Sequence, residues 1–321
     1  MRQRVFIDTD IALGCQNADV DDAVALLLAL AEPSLSVIGI SPSSGNVPGK
    51  KSGPCLDSLL KRIGRDGIPH ASFPSALWDT SKWVADTRWA KQPPETFPAV
   101  FGNGMQAAEF MARTILREKG PVTVITIGPL TNLATSLVAY PSLKDHIAQL
   151  VMMGGTWKMP GYAGQTKEFN ILCDPEAASY VMNSGIPVMM FGLDVTKKRK
   201  IVPTDLEAWL HSGSFLHDIG ERCSAFMHYR AKRDGYNIPY AFFHDVMPIA
   251  FLVHHQWFAM KPCDIQVAAD GEFTRGMTIV DFKKRQRACL KDQIAVDVDS
   301  DAVFSYVRDT FLRVYGKIQD A

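Results

Sequence analysis

Two groups of acidic residues near the start of the chain carry its strongest chemical signal. Asp8-Thr9-Asp10 ends the apolar run Val5-Phe6-Ile7, and Asp21-Asp22 opens the run Asp21-Asp22-Ala-Val-Ala-Leu. Carboxylates gathered in one place repel one another and raise each other's pKa unless something neutralises them. A hard divalent cation does so, and an all-oxygen donor set suits calcium or magnesium. Taken alone, Asp21 and Asp22 equally suit the first turn of a helix, where the macrodipole favours negative charge. Asp8 and Asp10 on the adjacent strand end tip the reading toward a site. Asn17, Asp19 and Asp21 alternate like a calcium loop, but they lack the Gly and the terminal Glu that an EF-hand needs.

The elements that must position these residues follow from periodicity. Short β-branched runs at Val5–Ile7, Leu35–Ile40, Val122–Ile127, Gln149–Met153 and Pro187–Met190 predict strands. Helical patterns lie between them at Asp21–Leu30, Cys55–Ile63, Met105–Arg117, Thr131–Ala139 and Pro175–Asn183. This alternation predicts an α/β fold, Rossmann-like in its layers, with a mainly parallel central sheet flanked by helices. In such sheets ligands bind beyond the carboxyl ends of the strands, where Asp10, Asp21 and Asp22 fall. Residues 205–255 read as largely helical. Ile265–Val267, Met277–Val280 and Ile294–Val298 then read as small antiparallel additions, and Asp301–Tyr315 as a closing amphipathic helix. With no repeat and no Pro/Gly linker, residues 1–321 are expected to form one domain. Leu77–Asn103, irregular and carrying Trp78, Trp83 and Trp89, reads as a functional loop or lid.

Bulk composition narrows the class. Lys plus Arg and Asp plus Glu balance at 34 each, which argues against nucleic acid or an anionic membrane as partner. The six cysteines include no C-x-x-C pair, so thiolate zinc and dithiol redox sites are not expected. No apolar run resembles a signal peptide or a membrane span, and the expected address is cytoplasmic.

With the whole chain in view, the pattern resembles the inosine-uridine-preferring nucleoside hydrolase family. The resemblance rests on Asp8-Thr9-Asp10 with Asp21-Asp22-Ala23, Ser44-Gly45-Asn46, and Gly128-Pro129-Leu130-Thr131-Asn132. Met153-Gly154-Gly155, Glu168-Phe169-Asn170 and Asp174-Pro175-Glu176-Ala177 follow, then His244-Asp245 and Thr274-Arg275-Gly276-Met277-Thr278. The resemblance implies hydrolysis of a ribonucleoside by an enzyme that is a homodimer or homotetramer. It implies Ca2+ held by Asp10, Asp22 and Asp245 and by the backbone carbonyl of Ile127. Asp21, Asn46, Glu168 and Asn170 would hold the ribose hydroxyls, Asp10 would take the proton from a calcium-bound water, and His244 would face the leaving base.

Elementary chemistry agrees with these roles. Breaking a ribosyl C–N bond builds oxocarbenium-like positive charge on the sugar, which nearby carboxylates stabilise. The departing base needs a proton, and general acid catalysis of that kind contributes about 10²–10⁴-fold. His244 can supply it; stacking on Trp78, Trp83 or Trp89 is the other route, with Trp83 the named candidate. Tyr229 and Tyr236, flanking Arg233-Asp234-Gly235 just before His244, are further pocket candidates. His228, His254 and His255 read as structural or surface residues.

Three departures from the family pattern stand out. Residues 11–20 are longer than the family's short Pro-Gly turn, and one reading has them bulging over the pocket mouth. Residues 159–164 lack the Asn that binds the 5′ hydroxyl, and the His-Gly-x-Asp-Gly segment is absent around Phe101–Gly104. Competing readings remain open. A haloacid-dehalogenase-type phosphatase also opens on Asp-x-Asp, but it expects Thr or Val where Ala12 stands. A catalytically silent calcium or nucleoside binder is a second alternative. A dinucleotide-binding oxidoreductase is disfavoured because no G-x-G-x-x-G follows the first strand.

Overall fold

The computed structural model describes residues 2–75, 106–161, 164–165, 167–283 and 291–319. Among the described residues ten strands are formed: β1 (Gln3–Thr9), β2 (Leu35–Pro42), β3 (Val122–Thr126), β4 (Ile147–Met153), β5 (Pro160–Gly161), β6 (Gly164–Gln165), β7 (Val188–Phe191), β8 (Phe258–Val267), β9 (Thr278–Asp281) and β10 (Asp292–Val298). β5 and β6 make a small hairpin, and the other eight form one sheet in the order β2-β1-β3-β4-β7-β10-β8-β9. The pairings from β2 to β10 are parallel, whereas β10–β8 and β8–β9 are antiparallel. This is the expected α/β architecture with a C-terminal antiparallel extension.

Alternation along each strand explains why both sheet faces are covered. Val5 and Ile7 point into one core cluster and Phe6 into the other; Ile125 and Val124 divide in the same way, as do Val151 and Leu150. A strand buried on both sides reads as a continuous apolar run, which is what β1, β3 and β4 show.

The helices are α1 (Asp21–Ala31), α2 (Gly49–Arg62), α3 (Ala107–Leu116), α4 (Thr131–Ala139), α5 (Phe169–Cys173), α6 (Pro175–Met182), α7 (Leu193–Thr196), α8 (Glu207–Leu210), α9 (Ser214–Asp234), α10 (Val246–Val253) and α11 (Ser300–Val314). α1 is apolar all round and buried from Asp21 to Ala29, because it lies between the sheet and helices α10 and α11. Each fully buried leucine there contributes about 1.5–3 kcal/mol relative to exposure. That burial anchors a helix whose first turn carries two carboxylates. The C-terminal end of β1 and the N-terminal end of α1 are thus held rigidly beside each other.

Two elements differ from expectation. β8 starts at Phe258 rather than Ile265, since Lys261-Pro262 breaks the apolar alternation that would reveal it, while pairing to β10 recruits the whole stretch. α2 begins at Gly49 and runs through Pro54 rather than starting at Cys55. Residues 11–20 also fold differently from a bulge over the pocket. Ile11, Ala12, Leu13, Ala18 and Val20 are buried, and Cys15 Sγ lies 3.8 Å from Cys55 Sγ on α2. Apolar side chains pin this insertion down, and only Asp19 reaches the cleft described next. Trp78, Trp83 and Trp89 lie outside the described residues.

Candidate active site

At the carboxyl ends of the parallel strands lies an open cleft of about 180 Å³. Its wall includes Asp21, Asn46, Ile127, Glu168, Asn170, His244 and Asp245, drawn from five widely spaced stretches of the chain. Asp10 and Asp22 sit immediately beneath, fully buried. Asn46 joins them: its backbone N–H donates to Asp10 Oδ2 at 2.6 Å and its side-chain amide to Asp22 Oδ2 at 2.8 Å. Thr9 Oγ1 donates to the other oxygen of Asp22 at 2.5 Å. Backbone must come very close to Asp10 for this arrangement. A Cβ at Gly45 would collide with Asp10 Oδ2, and one at Gly128 would stand 2.8 Å from Oδ1. The glycine of Ser-Gly-Asn therefore answers to the Asp10 carboxylate, and that of Gly-Pro-Leu-Thr-Asn to Asp10 and to Ser43 Oγ, which a Cβ would meet at 2.5 Å.

Asp245 reaches the same place from more than two hundred residues away. Asp21 Oδ2 accepts from the backbone N–H of His244 at 2.7 Å and of Asp245 at 3.2 Å. The contact ties the start of α1 to the start of α10. Asp245 feels the negative charges of Asp21, Asp22 and Asp10.

The electrostatics of this cluster are severe. Burial, followed by mutual repulsion, pushes the carboxyls of Asp10, Asp21 and Asp245 well above the usual range. Burial pushes Asp22 up to about 6, against the hydrogen bond from Thr9. Asp8, behind them, is raised to about 7 by burial, although Ser41 and Asn132 both donate to it. Among the described residues, Asp10 Oδ1 and Asp21 Oδ1 are buried without a hydrogen-bond partner. Lone pairs of this kind among several carboxylates fit a hard divalent cation, which offsets both the burial and the repulsion. Among the described residues, however, no three acidic, histidine or cysteine side chains form a ready-made ion nest. The oxygens of Asp22 are turned onto Thr9 and Asn46, one oxygen of Asp21 is turned onto α10, and the Ile127 carbonyl accepts from Asn170 Nδ2 at 3.1 Å.

Glu168 and Asn170 form the opposite rim. Glu168 caps α5, accepting from the N–H groups of Asn170 at 2.9 Å, Ile171 at 3.2 Å and Gly155 at 3.0 Å. Burial raises its pKa, and the backbone donors restrain the rise. Asn170 is held by the carbonyls of Ile127 and Met153. The Met-Gly-Gly and Glu-Phe-Asn motifs thus assemble one hydrogen-bonding edge.

His244 lines the cleft with Nδ1 2.7 Å from Thr196 Oγ1. Burial, then the nearby charges of Lys197 and Arg230, push its imidazole down to about 3, so the ring is neutral near pH 7. Tyr229 is half-buried, lies with Arg233 over its ring at 5.9 Å, and is not among the residues lining the cleft. Tyr236 is exposed and packs on Tyr240. His228 is exposed, and His254 stacks on Trp257.

Several residues that the motifs include, or that lie between them, have roles the sequence did not assign. Asn132 donates to Asp8 Oδ1 at 2.7 Å and to the Pro42 carbonyl at 2.9 Å, which makes it the buried strut of the first strand end. Arg275 pairs with Glu176 at 2.7 Å, joining two motifs away from the cleft. Lys197, Arg230 and Arg233 give the cleft a cationic wall that the motifs did not announce.

Comparison with known proteins agrees with this architecture. The model of the family described as inosine-uridine preferring nucleoside hydrolase matches residues 5–305. The chain is 34% identical over 287 residues to the pyrimidine-specific ribonucleoside hydrolase RihA of Klebsiella pneumoniae (strain 342), covering 88% of this chain and 92% of that protein. It is 35% identical over 285 residues to RihA of Salmonella gallinarum (strain 287/91 / NCTC 13346), covering 87% and 91%. Among solved structures, the plant nucleoside hydrolase PpNRh1 superposes with a TM-score of 0.81 at 23% identity, covering 97% of this chain and 99% of that one. The purine-preferring ribonucleoside hydrolase from Gardnerella vaginalis does so at 0.80 and 22%, with the same coverage. Since the match runs from β1 into α11 and most of the motifs gather at one cleft, the chain belongs to the inosine-uridine preferring nucleoside hydrolase family.

Proposed function

We propose that the protein hydrolyses the N-glycosidic bond of ribonucleosides, releasing free base and ribose, with a divalent cation, calcium by preference, held beside Asp10. The observation that carries this reading is the meeting of Asp10, Asp21, Asp22 and Asp245 next to a cleft whose far rim is Glu168 and Asn170. The carboxylates of Asp10, Asp22 and Asp245 and the carbonyl of Ile127 would hold the ion. When bound, such an ion offsets their repulsion and acidifies water in its shell.

The protein's own groups do the rest. Asp10 Oδ1, buried and without a partner, is the base that removes a proton from the attacking water. Water adds across the C1′–N bond: its oxygen goes to C1′ and a proton to the departing base. Asp21, Asn46, Glu168 and Asn170 orient the ribose hydroxyls, and the surrounding negative charge stabilises the oxocarbenium-like sugar. The neutral His244 ring, fixed through Nδ1 by Thr196, presents Nε2 to the base as a hydrogen-bonding group rather than as an imidazolium acid.

The pyrimidine-specific names of the relatives at 34–35% identity support pyrimidine ribonucleosides as the first substrates to assay. Ribose release from uridine, cytidine, inosine, guanosine and adenosine is the test. The expected result is turnover of uridine or cytidine at least about tenfold above the purines, a difference of about 1.4 kcal/mol in transition-state binding. Faster release from the purines would reverse the preference, and release from none would remove the hydrolase reading itself.

A further inference from the structure

The cationic wall of the cleft has no task in the reaction proposed above. Lys197 follows α7 directly, and Arg230 and Arg233 lie about one turn apart on α9; all three line the cavity. Lys197 is half-buried and makes no hydrogen bond or ion pair with a described residue. The charge on its ammonium is opposed by burial and by Arg230. Arg230 stands 3.7 Å from Asp234, to which Arg233 also binds, at 2.6 Å. The Arg230 guanidinium also lies near the rings of Tyr240 and Phe242, at 5.4 and 5.7 Å from their centroids.

Such a wall is out of place for a neutral substrate. The sugar becomes positive in the transition state, so cations across a small cleft act against it unless a negative group stands between. The ammonium of Lys197 feels Glu168 and Asp194 but forms an ion pair with neither, and a half-buried ammonium without a hydrogen-bond partner is itself unfavourable. A guanidinium presents a planar fork that matches carboxylate or phosphate oxygens.

We propose that the cleft is shaped for a ribonucleoside bearing an anionic group, a carboxylate on the base or a phosphate on the ribose, seated on Lys197 and Arg230. The inference rests on the ribonucleoside reading and narrows it to a charged substrate class. Lys197 feels both Glu168 on the ribose rim and Asp194, while His244 feels both Lys197 and Arg230. The cationic pair therefore faces both the sugar and the base end of the cleft, and experiment separates the two sources.

The test compares kcat/KM for orotidine, uridine 5′-monophosphate and uridine in the parent protein and in Lys197→Met, Arg230→Met and Lys197→Arg. At least one anionic riboside is expected to exceed uridine by about tenfold or more. Either methionine substitution should remove most of that ratio, and Lys197→Arg should keep it. Whichever anionic riboside is favoured tells carboxylate from phosphate. Uridine used as well as both anionic ribosides, or a ratio unchanged in both methionine variants, overturns the inference. The rise in thermal midpoint with the same three ligands reads recognition without turnover. If none is cleaved, stabilisation confined to the anionic ligands and lost in the methionine variants supports the anion site while the hydrolase reading fails. Equal stabilisation by all three counts against the site.

Discussion

Asp10→Ala is expected to lower kcat for the best ribonucleoside by about 10⁴-fold, the upper end of what loss of a general base costs. The size follows from the position of the side chain. Asp10 is fully buried at the end of β1, Asn46 fixes one oxygen, and the other has no hydrogen-bond partner among the described residues. Asp10→Asn keeps the shape and a hydrogen-bonding oxygen for Asn46 but cannot take a proton, so the loss should be comparable. KM should move far less than kcat in both variants, because the base acts in the transition state. Steady-state kinetics on folded variants checks this, and a kcat within about tenfold of the parent would exclude Asp10 as the base.

Calcium is expected to stabilise the protein strongly near pH 7.5 and weakly near pH 4.5. A carboxyl whose folded pKa exceeds its unfolded value binds more protons folded than unfolded between the two, so stability falls as pH rises through that window. Asp22, pushed from 3.8 to about 6, and Asp8, pushed from 3.8 to about 7, have such windows, and Asp10, Asp21 and Asp245 move in the same direction. In chelator these groups make the fold less stable from about pH 4 upward; a bound cation replaces the protons and removes the penalty. His244, pushed down to about 3, acts in the opposite sense. The informative quantity is therefore the difference between calcium and chelator at each pH. Each unit of displacement corresponds to about 1.4 kcal/mol, and the calcium-dependent gain should grow by about 3 kcal/mol or more over this range. Urea midpoints in EDTA and in excess calcium at the two pH values measure it. A gain independent of pH would mean that the cation does not sit among these carboxylates.

Much of the site was legible in the chain because its parts obey local rules. A strand must end where Asp8-Thr9-Asp10 turns polar, and a helix must begin at Asp21-Asp22; β1 and α1 do both. The parallel sheet then brings those ends to one edge, as it does Asn46, Ile127 and Asn170. Asp245 is different in kind. Nothing near it in the sequence says that it lies beside Asp21; family order suggested it, and the backbone bonds from His244 and Asp245 to Asp21 display it. The cationic wall stayed hidden for a related reason. The segment around Arg233 was read only for its tyrosines, Lys197 and Arg230 drew no reading, and only the fold turns α9 toward the cleft. The insertion at 11–20 was legible as an anomaly but not in its placement, since its burial depends on contacts with Val47 and Cys55. β8 was underestimated because Pro262 masks the alternation that its pairing with β10 restores.

The functional reading depends on carboxylates distant in the chain sharing one hard ion. A calorimetric calcium titration of the metal-stripped protein, repeated on Asp10→Asn, Asp22→Asn and Asp245→Asn, tests this most directly. The account predicts one ion bound per chain in the parent, and affinity weakened by about 10-fold or more in each variant, Asp245→Asn included. Binding undiminished when Asp245 is replaced, or no stoichiometric binding in the parent, would contradict it.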